Sequence, residues 1–296
     1  MSLKIGVLMG GVSDEKLVSI STGNEVLKAL VKLGYLTKKI LINENYKNYI
    51  KEFKDCDLIF NALHGGEGED GKIQQWMDNN SIKYTGSGPK SSELCMNKAR
   101  SKEFAELMSI RTPKWQLIKN IKERIEPQFP VVIKPNKQGS TFGLTIVKNE
   151  LQLPAAIKEA FKFGDEIIVE EYIPGREVTI PILGDEVYPI IEIVPSNELY
   201  DFQCKYTPGM TEYICPAKLE NKLVLLINKQ TELLFGEFGC NVYARVDYII
   251  GEDGHPYFLE VNTLPGLTKT SLMPKSLGSI GINFESLIAK IVDLSI

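Results

Sequence analysis

The chain has 296 residues, enough for two or three domains with cores of their own, and its 43% hydrophobic and 24% charged residues are ordinary for a globular protein. A formal net charge of −4 without blocks of like charge argues against a basic nucleic-acid surface or a membrane-seeking helix, and no apolar run nears the roughly 18 residues that span a bilayer. Cys56, Cys95, Cys204, Cys215 and Cys240 are odd in number and form no C-x-x-C, the two histidines leave little room for a His-rich zinc site, and MSLKIGVLMGG carries no cleavage signal; reduced thiols and a cytoplasmic location are expected.

Lys4–Met9 reads as a buried strand ending in Gly10-Gly11. A polar turn leads into a helical pattern with Val26, Leu27, Leu30, Val31 and Leu33, then strands at Leu36–Ile42 and Cys56–Asn61. Strand, helix, strand predicts a parallel α/β layer, which binds ligands beyond the carboxyl ends of its strands, where Gly10-Gly11 and His64-Gly65-Gly66 fall. The first loop is neither a P-loop nor G-x-G-x-x-G. Glu15 fits a capping acid at the helix start, and His64, in NALHGGEGEDG, fits a hydrogen-bonded loop histidine. Gly71–Asn79 begins a helix, Tyr84–Lys90 is a turn, and Ser91–Ser109 reads as one helix on which Lys98 fits a solvated lysine.

PVVIKP, residues 130–135, is a buried strand whose Lys134 requires an anionic partner. The loop NKQGSTFG can present backbone N–H groups to phosphate oxygens, and strand Leu144–Val147 follows. Glu166–Thr179 reads as strand, turn, strand, with Glu170 and Tyr172 on one face and Glu171 on the other; exposed acids on an edge strand fit equally. Glu192–Cys215 shows few helix or strand signals. Leu219–Glu237 is a long amphipathic helix and Asn283–Leu294 a closing one.

Between these helices, VYARVDYII and YFLEVN flank the turn-rich GEDGHP, a β-hairpin. Alternation puts Arg245 and Asp247 on one face of the first strand and Glu260 and Asn262 on one face of the second. An odd register, such as 247 opposite 260, brings all four to one surface, with Ala244, Val246, Tyr248, Leu259 and Val261 on the core side. Two carboxylates and an amide oxygen suit Mg²⁺ held jointly with phosphates; a solvated face with a surface ion pair fits the local pattern as well.

The run EVNTLPGLT, with RVD upstream, resembles the metal-binding end of ATP-grasp ligases and, more narrowly, the D-alanine–D-alanine ligase family; the resemblance recurs in order from Glu15 to Leu272. It implies an N-terminal α/β substrate-binding domain (1–94), then a two-lobed ATP-grasp fold of α+β character: a central lobe (95–179) and a C-terminal lobe (180–296) with the metal site and a lid loop. The implied reaction joins two D-alanines to D-alanyl-D-alanine through an acyl phosphate, using ATP and two Mg²⁺ (or Mn²⁺), in a cytoplasmic homodimer that serves peptidoglycan precursor synthesis. Glu15 would meet the ammonium of the first D-alanine, although Lys16 stands where the family usually has arginine. His64 would lie near that substrate's carboxylate, and Lys98 and Lys134 on the ATP phosphates. Glu170 would meet the adenine amino group, Tyr172 and Ile173 the base along their backbone, and Glu177 the ribose. Ser140 would join a hydrogen-bond network with Glu15 and Tyr206; Thr141 replaces the family's second serine there. Lys205 and Tyr206 match the K-Y pair of the lid, residues 199–216, with Lys205 on the nucleotide. Asp247, Glu260 and Asn262 would hold the metals, Arg245 and Gly266 the oxyanion, and Ser271 with Leu272 the second carboxylate.

In relatives that make D-alanyl-D-lactate, phenylalanine replaces this tyrosine. Tyr206→Phe is therefore expected to shift product towards the depsipeptide when D-alanine and D-lactate compete near neutral pH. A buried hydrogen bond lost with its partner unsatisfied costs roughly 1–3 kcal/mol, or about 5- to 150-fold. An unchanged product ratio would remove Tyr206 from the selector role.

Overall fold

The computed structural model describes residues 3–123, 125, 127–197, 207 and 209–296. Strands β1 (Lys4–Gly10), β2 (Leu36–Ile42) and β3 (Leu58–Asn61) form a parallel sheet in the order β2-β1-β3. The central β1 is a nearly continuous apolar run because helices cover both faces of the sheet. Ile5, Val7 and Met9 pack with α1 (Lys16–Lys32) and with α9 (Phe284–Asp293) from the far end of the chain; Leu8 faces α2 (Ile50–Lys54) and α3 (Lys72–Asn79). Gly10 turns the chain out of β1 at φ +96, where a Cβ would stand 2.3 Å from the Ile42 carbonyl oxygen, so only glycine serves there.

Two antiparallel sheets complete the fold. The first has the order β4 (Trp115–Ile118), β7 (Ile167–Glu171), β5 (Val131–Pro135), β6 (Thr145–Val147), and α6 (Leu153–Ala160) packs on it. The second runs β11 (Thr211–Ile214), β10 (Ile191–Pro195), β8 (Gly175–Leu183), β12 (Tyr243–Gly251), β13 (Pro256–Asn262), with β9 (Glu186–Val187) paired to β8. One of its faces is covered by α7 (Asn221–Glu237) together with residues of α4 (Pro89–Met96) and α5 (Lys98–Leu107). Helix α8 (Leu272–Gly278) joins Leu183, Tyr188 and Tyr243 in the same cluster as β1 and α9, so the last part of the chain shares a core with the first layer. No helix among the described residues is long and apolar enough to cross a membrane.

Three sequence expectations are corrected. The single helix at Ser91–Ser109 is two: Asn97 takes φ −89, ψ 94 and ends α4. Its Oδ1 accepts from the backbone N–H of Arg100 and from Asn136 Nδ2 at 3.0 Å, while the N–H groups of Lys98 and Ala99 donate to Asn136. Second, residues 192–215 contain β10 and β11; buried Glu192, bonded to Arg176 at 2.7 and 2.6 Å, breaks the apolar pattern that would have marked a strand. The expected boundaries near 94 and 179 correspond to positions in α4 and in β8, which pairs with β12 along its whole length. Third, Leu259 lines a cleft rather than the core, because a β-bulge follows Asp247: Asp247 opposes Glu260 but Tyr248 opposes Phe258. The lid expectation at 199–216 lies largely outside the described residues.

Asn97→Ala removes an N-cap and one partner of the buried Asn136, so stability should fall by about 1–2 kcal/mol in urea titration while Asn97→Asp holds it. An alanine variant within a few tenths of a kcal/mol of wild type would contradict this role.

Candidate active site

The register of the β12–β13 hairpin is odd up to the bulge, so Arg245 opposes Asn262 and Asp247 opposes Glu260. The charges gathered there are paired within the protein, as burial demands. Arg245 donates to both oxygens of Asp247, from Nε at 3.0 Å and from Nη2 at 2.9 Å. Thr179, opposite Asp247 on β8, donates to Asp247 Oδ1 at 2.5 Å. Lys98 Nζ lies 3.0 Å from Glu260 Oε2 and donates to the carbonyl of Gln138 at 2.8 Å. Asn262 Oδ1 accepts from the N–H of Leu264 at 2.9 Å.

On one side of this surface is a cavity of about 460 Å³, whose lining includes Glu15, His64, Ser140, Gly266, Ser271 and Leu272. Glu15 occupies the N-cap position of α1 but makes no capping bond with its side chain; Ser140 donates to its Oε1. Ser140 and Thr141 sit at φ +52 and +64, a turn that carries the loop after β5 over to Glu15. The buried His64 ring has Nε2 3.0 Å from Thr22 Oγ1 and Nδ1 3.4 Å from Glu69 Oε1. Gly65, at φ +67, passes so close that a Cβ would lie 2.6 Å from Glu15 Oε2. Ser271 Oγ accepts from the N–H of Thr268 at 3.0 Å just before α8.

On the other side a cavity of about 380 Å³ is lined by Lys134, Glu170, Tyr172, Ile173, Glu177 and Asp247, among others. Lys98, Gly139, Ser140, Arg245 and Glu260 line both cavities, so the two meet at the charged face of the hairpin. Lys205 and Tyr206 lie outside the described residues.

Within the second cavity Lys134 donates to Glu170 Oε1 at 2.5 Å, and Lys102, which the sequence reading missed, stands 2.9 Å from Glu170 Oε2. Burial alone would raise the Glu170 carboxyl; the two ammonium groups outweigh it and bring it down to about 2. Nothing in the sequence separates Lys102, four residues after Lys98 on α5, from a solvated helix lysine.

Removing the Glu170 charge leaves two buried ammonium groups unpaired, so Glu170→Gln should cost about 3–5 kcal/mol near neutral pH by chemical denaturation. Because the folded carboxyl is depressed below its ordinary 4.5, this stability is present above that pH and is lost as pH falls towards about 2. A loss under 1 kcal/mol would mean that the cluster is solvated.

Comparison with known proteins agrees with this geometry. Residues 100–293 match the family described as D-ala D-ala ligase C-terminus, and residues 47–87 the D-ala D-ala ligase N-terminus. The chain is 39% identical to the D-alanine–D-alanine ligase of Halalkalibacterium halodurans, with 99% of each chain covered. It is 40% identical to D-alanine–D-alanine ligase B of Clostridium perfringens over 99% of this chain and 98% of the relative. The structure superposes on the Bacillus anthracis D-alanine–D-alanine ligase complexed with ATP, with TM-score 0.88 and 36% identity, covering 99% and 97% of the two chains. The VanG D-Ala:D-Ser ligase of Enterococcus faecalis gives TM-score 0.83 at 28% identity, with both chains fully covered. A parallel α/β layer followed by the two antiparallel sheets of an ATP-grasp fold, matched along its whole length at this identity, makes the chain a member of the D-alanine–D-alanine ligase family.

Proposed function

We propose that this protein joins two D-alanine molecules into D-alanyl-D-alanine with hydrolysis of ATP to ADP and phosphate, supplying peptidoglycan precursors in the cytoplasm as a homodimer. The observation that carries the reading is the meeting of two cavities, one with Glu15 and His64, the other with Lys134 and Glu170, at Lys98, Arg245 and Glu260. A carboxylate lying in the first is thereby set against a phosphate lying in the second.

The hairpin donor set fits divalent cations. Asp247 and Glu260 supply hard carboxylate oxygens, and each already draws a cation of the protein, Arg245 or Lys98, which marks a surface that attracts positive charge. Asn262 Oδ1 accepts one hydrogen bond and keeps a second lone pair. These three residues would hold two Mg²⁺ or Mn²⁺, whose contribution is to neutralise phosphate charge.

The remaining work belongs to the chain. Glu15, fixed by Ser140, binds the ammonium of the first D-alanine, and His64 stands by its carboxylate. Lys98 and Lys134 neutralise the phosphates of ATP as that carboxylate attacks the terminal one, giving an acyl phosphate and ADP. Glu170, Tyr172 and Ile173 hold the adenine, Glu177 the ribose and Lys205 the nucleotide from the lid. Ser271 and the backbone of Leu272 hold the second carboxylate while its amine attacks the acyl carbon. Arg245 and the N–H of Gly266 stabilise the resulting oxyanion, and phosphate leaves. Tyr206 would complete the network from Glu15 through Ser140.

The direct test is phosphate release and product identification with ATP, Mg²⁺ and a panel of D-amino and D-hydroxy acids; D-alanine should be the best substrate at both positions. Turnover should require a divalent ion, and Glu260→Gln should abolish nearly all of it with the fold intact by circular dichroism. Product formed in the presence of a chelator would contradict the metal assignment.

A further inference from the structure

The nucleotide cavity rests on a buried charge that the reaction does not use. Lys102, on α5, is wholly buried and lines neither cavity, so it is not placed to touch a phosphate. Its Nζ lies 2.9 Å from Glu170 Oε2 and donates to Thr112 Oγ1 at 2.6 Å; Thr112 in turn donates to the carbonyl of Phe258 at 3.0 Å. The ammonium sits against Oε2, an oxygen that is itself buried, so it holds the carboxylate of a cavity-lining residue from behind. One lysine would suffice to balance Glu170, and Lys134 is already there at 2.5 Å. A second buried cation costs stability, and burial pulls Lys102 down to about 8. Lys134 also faces the cavity, where phosphates compete with Glu170 for its ammonium. Lys102 is the cation that remains with the carboxylate when they win.

We propose that Lys102 is the positioning residue for nucleobase choice: it fixes Glu170 as an ionised, acceptor-only carboxylate, which takes a hydrogen bond from a 6-amino purine and repels a 6-oxo purine. The inference rests on the reading that Glu170 meets the base. Without Lys102, burial acts on Glu170 with less opposition once Lys134 turns to phosphate. A protonated or rotated carboxyl then donates to a 6-oxo group, and the discrimination weakens.

The test compares kcat/KM for ATP and inosine triphosphate in wild type, Lys102→Met, Thr112→Val and Glu170→Gln, with melting temperatures alongside. Lys102→Met should match or exceed the wild type in melting temperature, since it removes a surplus buried charge. Its ATP preference should fall roughly ten-fold or more, chiefly through the KM for ATP. Thr112→Val, which removes only the hydroxyl that holds Lys102, should move the preference the same way by less; should Lys102→Met fold poorly, Thr112→Val decides the matter by the same criterion. If Glu170→Gln relaxes the preference and the Lys102 and Thr112 variants keep it, the role of Lys102 is overturned while the adenine reading stands. If none of the three relaxes it, Glu170 does not read the base and both fall.

Discussion

Everything in the active region depends on how the hairpin β12–β13 carries charge. Two carboxylates, an amide and a guanidinium on one face of a half-buried sheet are tolerated only because each charge has a partner: Arg245 lies across Asp247, and Lys98 lies on Glu260. Those partners come from different parts of the fold. Thr179 reaches Asp247 from the neighbouring strand, and Lys98 is presented by a helix that starts where Asn97 breaks the run before it. The surface that receives the phosphates in the proposed reaction is therefore also the place where α5 and β8 are tied to the hairpin.

The break at Asn97 shows how the ties work. Asn136, on the loop after β5, accepts from two consecutive N–H groups at the start of α5 and donates to Asn97. The same loop goes on to Ser140, which reaches Glu15 of the first layer. One short segment thus positions Lys98 where the two cavities meet and Glu15 in the first of them. In an ATP-dependent ligase the reacting carboxylate and phosphate must be held in line, and a shared support for both is the economical way to do it.

The legible part of this in the sequence was local. Side-chain alternation gave the hairpin face, because a period of two needs only the order of residues. Lys134 called for an acid because an apolar strand cannot bury a lone ammonium. What escaped was set by distant residues. Asn97 looks like helix until Asn136 takes up the exposed N–H groups, and Lys102 looks like a solvated lysine until Glu170 arrives on another sheet. Leu259 was assigned to the core by alternation, which a bulge after Asp247 overrules. Glu15 looked like a helix cap and makes no cap bond, since its carboxylate is taken by Ser140.

The claim that the hairpin face receives a metal-bound nucleotide is tested most directly by calorimetric titration of ADP into the wild type and into Asp247→Asn, with Mg²⁺ and with a chelator. The carboxylate pairing predicts that Mg²⁺ tightens ADP binding to the wild type by roughly ten-fold or more and that Asp247→Asn loses most of that gain. Equal affinity with and without Mg²⁺ in the wild type, or a gain that survives in Asp247→Asn, would contradict it.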